Sequence, residues 1–546
     1  KIFQNQQRTM TVAVGIDLGS THCNVGIWHK GRPEIIANHH GLRATPTMIA
    51  ITDNEILVGE SALTQRPKNL KNTIYGFKWM VGVPHADLEP HVQDLLKNAP
   101  FVCSTDETGA AIVEVIQKGK TMKFTPDFFC RHLFEHLKLI AEQFSGEKVG
   151  KCVLSIPADF TETQKKALND CAKSAGLKIS CFIADPIAVC IAYGLDRTDS
   201  EISSSGRDEA HSKPKKNILV LDLGGGGIES TLIERNDGML SIKDTERDAS
   251  LGGEVFVQKL MDFCAKDFKR KTGMDVKESK KGLLKLQTEC ERVVKALSMT
   301  QHAEPYVEAL MEGVDFKTRI TRMRFEDLCF DLFEKMKKPM TKCLEKCGCT
   351  FEDVDMVLLS GGIAHMPKIQ AIMKQTFPSK CLFGTGLFPD EAVAIGATIQ
   401  ASLLESSPHP FQKEKTLPAS YVISPVSLGL RCLPEPVIDK DPDSSPREVV
   451  VIKQGAPLPA QVKFSLKLSL ENGKQEEKSD KTIVLQVLCL NSESSSNILA
   501  NLTFEKLKGG DLEFDVGYTL KSEGSLKVEA RESTSKVIKS ILVGPT

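Results

Sequence analysis

The sequence lacks an excess of charge of either sign: 70 basic side chains stand against 71 acidic ones, for a net charge of −1. That balance supplies no overall electrostatic pull toward nucleic acid or an anionic membrane, and direct DNA binding is not expected. No apolar run reaches the roughly 18 residues of a spanning helix, and residues 1–9, KIFQNQQRT, have no signal-peptide centre. A cytosolic chain with no membrane partner is therefore expected. Met10 directly precedes the first strand-like run, so residues 1–9 read as extraneous to the fold. The 16 cysteines have no framework spacing and no CxxC pair, which suits reduced thiols. The cluster Cys343, Cys347 and Cys349 lacks the second ligand pair of a tetrahedral metal site and reads as a helix end. No GxxxxGK[ST] occurs, which excludes a P-loop enzyme.

What is present is enough for several cores, because 546 residues exceed what one hydrophobic core usually serves. From Met10 to about Glu405, strand signals alternate with helical ones, as in α/β architecture. VAVGI, KCVLSI, KNILVLD and DMVLLS suit buried strands. Thr161 to Gln164 has a capping-box pattern, and Gly176 is placed to close the helix that follows. Asp196 to Lys216 reads as an exposed polar loop, in which Lys213 to Lys216 offer either a solvated stretch or a contact for ribosomal RNA. Residues 406–420, with three prolines, read as a linker. Beyond it Val462, Phe464, Leu466, Leu468 and Leu470 alternate and meet the turn pair Asn472-Gly473, so residues 421–546 read as an all-β domain. The sequon Asn501-Leu502-Thr503 carries no weight in a cytosolic chain.

Gly15 to Gly26 sets Asp17 at the end of a buried strand, before a glycine turn with two hydroxyls. Leu219 to Gly227 repeats the device around Asp222. A carboxylate projecting where backbone N–H groups converge suits a divalent cation with phosphate. The carboxylate would hold metal-bound water, while the amides and the Ser20 and Thr21 hydroxyls receive oxygens. One Asp-x-Gly turn is ordinarily only a turn. Two copies in matching strand contexts, with a third glycine turn at Leu359-Ser360-Gly361-Gly362, point to two related lobes facing one nucleotide.

With NTIYGFKWMVG, SIPADFTETQKKAL, DPIAVCIAYGLD, LVLDLGGG, LGGE, CERVVKALS, LLSGGIAHMPKIQ and FPDEAVAIGA in order, the chain resembles the 70-kDa heat-shock (DnaK-like) chaperone family from Met10 to Thr546. The resemblance implies an actin-like fold, a duplicated ribonuclease-H-like α/β nucleotide-binding domain of two lobes over residues 10–405. A β-sandwich peptide-binding domain would follow over 421–546. Because no sequence for a helical lid follows, the closest likeness is to the short, ribosome-associated branch. That branch pairs with a zuotin-like J-protein and meets nascent polypeptide. The implied cofactor is ATP or ADP with Mg2+. Asp17 and Asp222 would lie around the magnesium through water, and Lys78 would position the attacking water, with Asp185 as a further catalytic carboxylate. Gly19, Ser20, Thr21 and His22 form the implied first phosphate turn. Gly224, Gly225 and Gly226 form the second, with Gly252 and Gly253 beside it. Glu291, Lys295 and Ser298 would grip ribose and adenine, and Gly361, Gly362 and Asp390 complete that wall.

The departures from the family pattern imply weakened chemistry. Gly227 stands where the family has a hydroxyl, Glu229 where it has an aspartate, and Asp185 where it has a glutamate. Losing one placed polar stabiliser costs on the order of 10²–10³ in rate, so binding without efficient hydrolysis is expected. Ile363, His365 and Val294 replace a serine, an arginine and a lysine at the adenine wall. Cys181 and Ala184 stand where the family receives an ordinary J-domain. Pro418 and Ser420 replace linker leucines whose docking is worth several kcal/mol. After SLGL at Ser427 to Leu430, the stretch RCLPEPVIDKDPDSSPRE replaces a glycine pair. The expected function is an atypical co-chaperone that binds ATP with weak or no hydrolysis. The rivals are an active, lidless ATPase chaperone and an actin-fold small-molecule kinase.

Overall fold

A computed structural model describes residues 11–197, 215–236 and 238–406, followed by strands within 422–543. The chain divides into two compact units, Lys1–Pro418 and Ala419–Thr546. Residues 1–9, the Asn472-Gly473 turn, Leu470, Pro418 and Ser420 lie outside the described residues.

The first unit contains two sheets of matching topology. In the first lobe the matching strands are β1 (Thr11–Asp17), β2 (His22–His29), β3 (Arg32–Ile35), β4 (Lys148–Ile156) and β5 (Lys178–Ala184), ordered β5-β4-β1-β2-β3, with the short strand Ala44–Pro46 also paired to β2. In the second they are β6 (Lys215–Leu223), β7 (Ile228–Asn236), β8 (Met239–Asp248), β9 (Met356–Ser360) and β10 (Leu382–Phe383), ordered β8-β7-β6-β9-β10. In each lobe the first three strands form an antiparallel meander, and the last two run parallel to the first. The continuous Val, Ile and Leu runs that suggested buried strands form β1, β4, β6 and β9. Their central residues Val14, Leu154, Leu219 and Val357 are fully buried.

Each lobe has its own core. The first packs Ile16, Phe77, Phe129 and Phe134, and the second packs Leu221, Phe256, Phe268 and Phe333. The helices around them are α1 (Pro126–Ser145), α2 (Glu162–Ser174), α3 (Asp185–Ala192), α4 (Gly253–Thr272), α5 (Lys280–Met299), α6 (Pro367–Thr376) and α7 (Ala392–Ser406). The Thr161/Gln164 capping box opens α2, with both reciprocal hydrogen bonds formed, and Gly176 takes the left-handed conformation just past its end at φ 72°. Cys343, Cys347 and Cys349 do lie at a helix end, that of Lys337–Lys346. Among the described residues no group of three metal-ligating side chains forms.

Helix α7 lies directly on the first-lobe sheet because glycines open the space. A Cβ on Gly15 would stand 2.2 Å from the Thr398 amide nitrogen, and one on Gly396 would stand 1.8 Å from the Ala188 carbonyl oxygen of α3. Backbone cannot retreat as a flexible side chain can.

Two expectations change. The polar loop ends before Lys215, where β6 begins, and Lys216 is buried at 3% exposure, which removes it from any surface RNA contact; residues 198–214 lie outside the described residues. The stretch expected as an insert after SLGL continues the strand Ser427–Glu435 through its first five residues; residues 436–447 lie outside the described ones.

In the second unit the strands Ser427–Glu435, Glu448–Ile452, Lys481–Leu490 and Ser496–Leu507 form one antiparallel sheet. Ala460–Leu468, Leu512–Leu520, Leu526–Glu532 and Ile538–Val543 form another. Among the described residues no helix is long and apolar enough to cross a membrane. Gly396→Ala is expected to cost about 1–3 kcal/mol, the range of overpacked cores, seen as a lowered Tm in thermal melts of the whole chain.

Candidate functional site

Strand register places the acidic residues. Asp17, the last residue of β1, pairs with Ser155 of β4 on one side and Asn24 of β2 on the other. Asp222 occupies the equivalent place in the second lobe, pairing with Ser360 of β9 and Glu229 of β7, and Glu229 in turn pairs with Arg247 of β8. Laterally paired residues project from the same face of a sheet. One row therefore presents Ser360, Asp222, Glu229 and Arg247 side by side. Asp185 joins from the first turn of α3, where the helix dipole favours an acid.

These carboxyls are crowded and dry. Burial, then Asp185, pushes Asp17 up to about 8, against the pull of Lys78 and the Ser155 hydroxyl, which stands 3.4 Å from Asp17 Oδ1. Burial, then Asp185, pushes Asp222 up to about 6, and burial followed by Asp185 and Asp222 pushes Glu229 up to about 8. Asp185 is raised as well, chiefly by burial. Each carboxyl would shed its proton more readily beside a cation.

Lys78 is buried at 3% exposure on the short helical turn Phe77–Trp79 and donates to the Leu18 carbonyl beside Asp17. Its ammonium stands 5.1 Å from the Trp79 ring centroid and 5.7 Å from that of Phe160. The Arg247 guanidinium, from the other lobe, covers Trp79 at 3.8 Å. Asn24 Nδ2, Asp185 Oδ1 and Arg247 Nη1 are buried without a hydrogen-bond partner. Such orphans are costly in a finished structure, and together they mark a place built around a polar guest.

The glycine turns of the two lobes touch. A Cβ on Gly225 would stand 2.5 Å from Thr21 Oγ1, one on Gly226 would meet Ser20 Cβ at 3.4 Å, and one on Gly19 would meet the His22 carbonyl oxygen at 2.1 Å. Gly252 is as tight against the Gly225 carbonyl, at 2.2 Å. The Gly253 amide donates to the Gly224 carbonyl at 3.0 Å. Gly361, at φ 86°, lies against Leu223 and Asp222, whereas Gly362 faces open space.

A second group gathers nearby. His22 is driven down to about 4 by burial and then by Lys295, while Asp390 opposes the fall. Glu291 sits one helical turn before Lys295 on α5, accepts from Gln287 at 3.1 Å, and is raised by burial against Arg66 and Lys295. Burial raises Asp390, but the 2.7 Å bond to His365, the charge of that ring, a backbone hydrogen bond and Lys295 together bring it below its ordinary range. Ser298 spends its hydroxyl on the Val294 carbonyl at 3.3 Å. Ile363 and Val294 belong to the second-lobe core.

The structure thus draws Asp17, Asp185, Asp222 and Lys78 together with the glycine turns, and separately groups His22, Glu291, Lys295 and Asp390. The sequence did not reveal Ser155, Arg247 or the packing role of Trp79. Ser155 carried one signal, since it ends a strand run as Ser360 does. The dry acids, two cations and amide-rich turns suit a phosphate chain chelated to a divalent cation. A cation here would keep waters, as Mg2+ readily does.

Comparison with known proteins adds to this geometry. The family model described as Hsp70 protein matches residues 13–436. A heat shock 70 kDa protein of Neurospora crassa is 36% identical over 421 residues, 77% of this chain and 62% of that protein. Its counterpart in Emericella nidulans is 35% identical with the same coverage. Heat shock cognate 70 kDa protein 3 of Dictyostelium discoideum is 31% identical over 538 residues, 97% of this chain and 80% of that protein. The chain thus matches less than two thirds of the length of the two fungal relatives.

A pH dependence follows from the raised acids. The folded Asp17 carboxyl titrates near 8 against an ordinary value of 3.8, so its contribution to stability is complete below about pH 4 and is lost as the pH rises toward 8. The nucleotide-free, metal-free protein is expected to lose Tm across that window. Asp17→Asn, measured by the same melts, is expected to flatten the slope.

Proposed function

The chain belongs to the Hsp70 chaperone family, a nucleotide-binding ATPase family, and on that premise we propose that it is an ATP-binding co-chaperone with weak or no hydrolysis. In this reading it belongs to the ribosome-associated branch, works in the cytosol beside a zuotin-like J-protein, and assists nascent polypeptides. The two antiparallel sheets of the second unit stack as a β-sandwich that meets such segments transiently.

The observation that carries the nucleotide part is the pair Asp17 and Asp222, equivalent residues of two matching sheets, with Lys78 buried beside them. The residues fit Mg-ATP: orphaned polar atoms stand among the acids, and the turns at Gly19, Gly225 and Gly252 leave no room for a Cβ. Asp17 and Asp222 would hold Mg2+ through water. Gly19 to His22 and Gly224 to Gly226 would present amides and hydroxyls to the phosphates, and Glu291, Lys295 and Asp390 would meet the nucleoside. The magnesium would neutralise the phosphate chain and restore the buried acids to their charged forms.

Weak hydrolysis is supported by two features. Gly227 offers no hydroxyl, and crowding against Ala249 Cα, 3.1 Å from where a Cβ would sit, disfavours any larger residue. Glu229, in register between Asp222 and Arg247, stands where the resemblance implies an aspartate, so its longer side chain shifts the carboxylate relative to the cation and the terminal phosphate. A turnover-competent ATPase chaperone is the second reading, favoured by the presence of Asp17, Asp222 and Lys78 in one cluster. Cys181, whose thiol faces the Phe182 carbonyl at 3.0 Å, and Ala184 leave the last turn of β5 without the charge an ordinary J-domain would meet.

Single-turnover assays with radiolabelled ATP distinguish the two readings. We expect tight retention of Mg-ATP and cleavage slower than in an ordinary family member by a factor on the order of 10². Robust hydrolysis stimulated by a standard J-protein would overturn that expectation. Affinity purification from cytosol followed by sucrose-gradient sedimentation is expected to place the chain with ribosomes and a J-protein.

A further inference from the structure

Arg247 is the one residue of the acidic row that carries the opposite charge. It stands in register with Glu229, which stands in register with Asp222, so its side chain leaves the sheet on the face that bears the carboxyls. From there it reaches the other lobe and lays its guanidinium over Trp79 at 3.8 Å. Stacking uses the face of a guanidinium and leaves its in-plane N–H donors available. Among these, Nη1 is buried with no acceptor.

The surroundings say what that donor is for. Trp79 is held by Phe160 and His91, with ring centroids 5.6 and 5.5 Å away at 70° and 84°, so the platform under Arg247 is fixed. The same indole has the Lys78 ammonium 5.1 Å from its centroid. Two cations sharing one aromatic ring repel unless an anion lies between them. The carboxyls of the row leave the donor unanswered, since Arg247 Nη1 finds no hydrogen-bond partner although Glu229 and Asp222 stand in register beside it. A phosphate with several anionic oxygens satisfies both cations at once, and in-plane guanidinium donors match its geometry.

We propose that Arg247 is a ligand for the terminal phosphate of the bound nucleotide, forming with Lys78 a two-cation clamp that makes this chain select a triphosphate over a diphosphate. The inference rests on the nucleotide-binding reading and adds to it a specificity-determining residue from the far strand of the second lobe. The Trp79 stack sets the guanidinium before the ligand arrives, so little side-chain freedom is lost on binding.

The chain has two tryptophans, and Trp28 is the exposed one, at 42%. In a Trp28→Phe background the emission of Trp79 alone reports on Arg247, and titration with Mg-ATP and Mg-ADP yields both dissociation constants. Mg-ATP is expected to bind at least about tenfold more tightly than Mg-ADP and to shift Trp79 emission. Arg247→Gln is expected to weaken Mg-ATP about 10- to 100-fold while changing Mg-ADP less than about threefold, as for one charge-assisted contact. Arg247→Lys, which keeps the charge and loses the planar fork, should fall between them and guards against a Gln variant that fails to fold. If both variants bind and keep the parent's ratio of affinities, the clamp is overturned while nucleotide binding stands. A folded parent that binds neither nucleotide overturns both.

Discussion

Burying four carboxyls at the ends of strands is the constraint on which the rest of the first unit depends. Asp17, Asp185, Asp222 and Glu229 would each be charged in water, and burial lifts every one of them. Such a cluster persists only if the surrounding fold is stable enough to hold it and only if something brings it positive charge. Lys78 and Arg247 supply part of that charge from opposite lobes. In the proposed reading a nucleotide-bound cation would bring the remainder.

The duplicated sheet makes the cluster possible. Repeating one strand order in two lobes puts Asp17 and Asp222 at equivalent strand ends, each beside a serine from the neighbouring parallel strand. The glycines at 15 and 396 let α7 press onto the first sheet and α3, which seats Asp185, the first residue of α3, among the other acids. Tight packing and the polar site are thus one construction: loosening the helix would move a carboxyl.

Chemistry separates from binding at the second lobe. Glycine turns and the two aspartates are features a phosphate chain needs in order to be held, whereas proton transfer needs a base that is free of its proton. Glu229 stands in the acidic row between Asp222 and Arg247. Arg247, one strand farther out, brings a positive charge to the same row. In the proposed reading the site retains its nucleotide and hydrolyses it slowly.

Much of this was legible in the amino-acid order. Apolar runs marked β1, β4, β6 and β9, the Thr161/Gln164 cap marked α2, and the repeated Asp-x-Gly turn marked Asp17 and Asp222, because these depend on neighbours a few residues away. Alternation at Val462 to Leu468 likewise announced a strand, and Ala460–Leu468 is one. Arg247 could not be read this way: in the run Thr245-Glu246-Arg247-Asp248 it resembles any solvated strand residue. Its meaning comes from pairing with Glu229 and from a tryptophan of the other lobe. The same holds for Lys216, which looks like part of a basic surface stretch and is buried. Sequence by itself determined which segments are strands and helices and which acids end them. Tertiary structure alone decided which of those acids share one dry space and which cations answer them, since register and lobe contact join residues that no local pattern links.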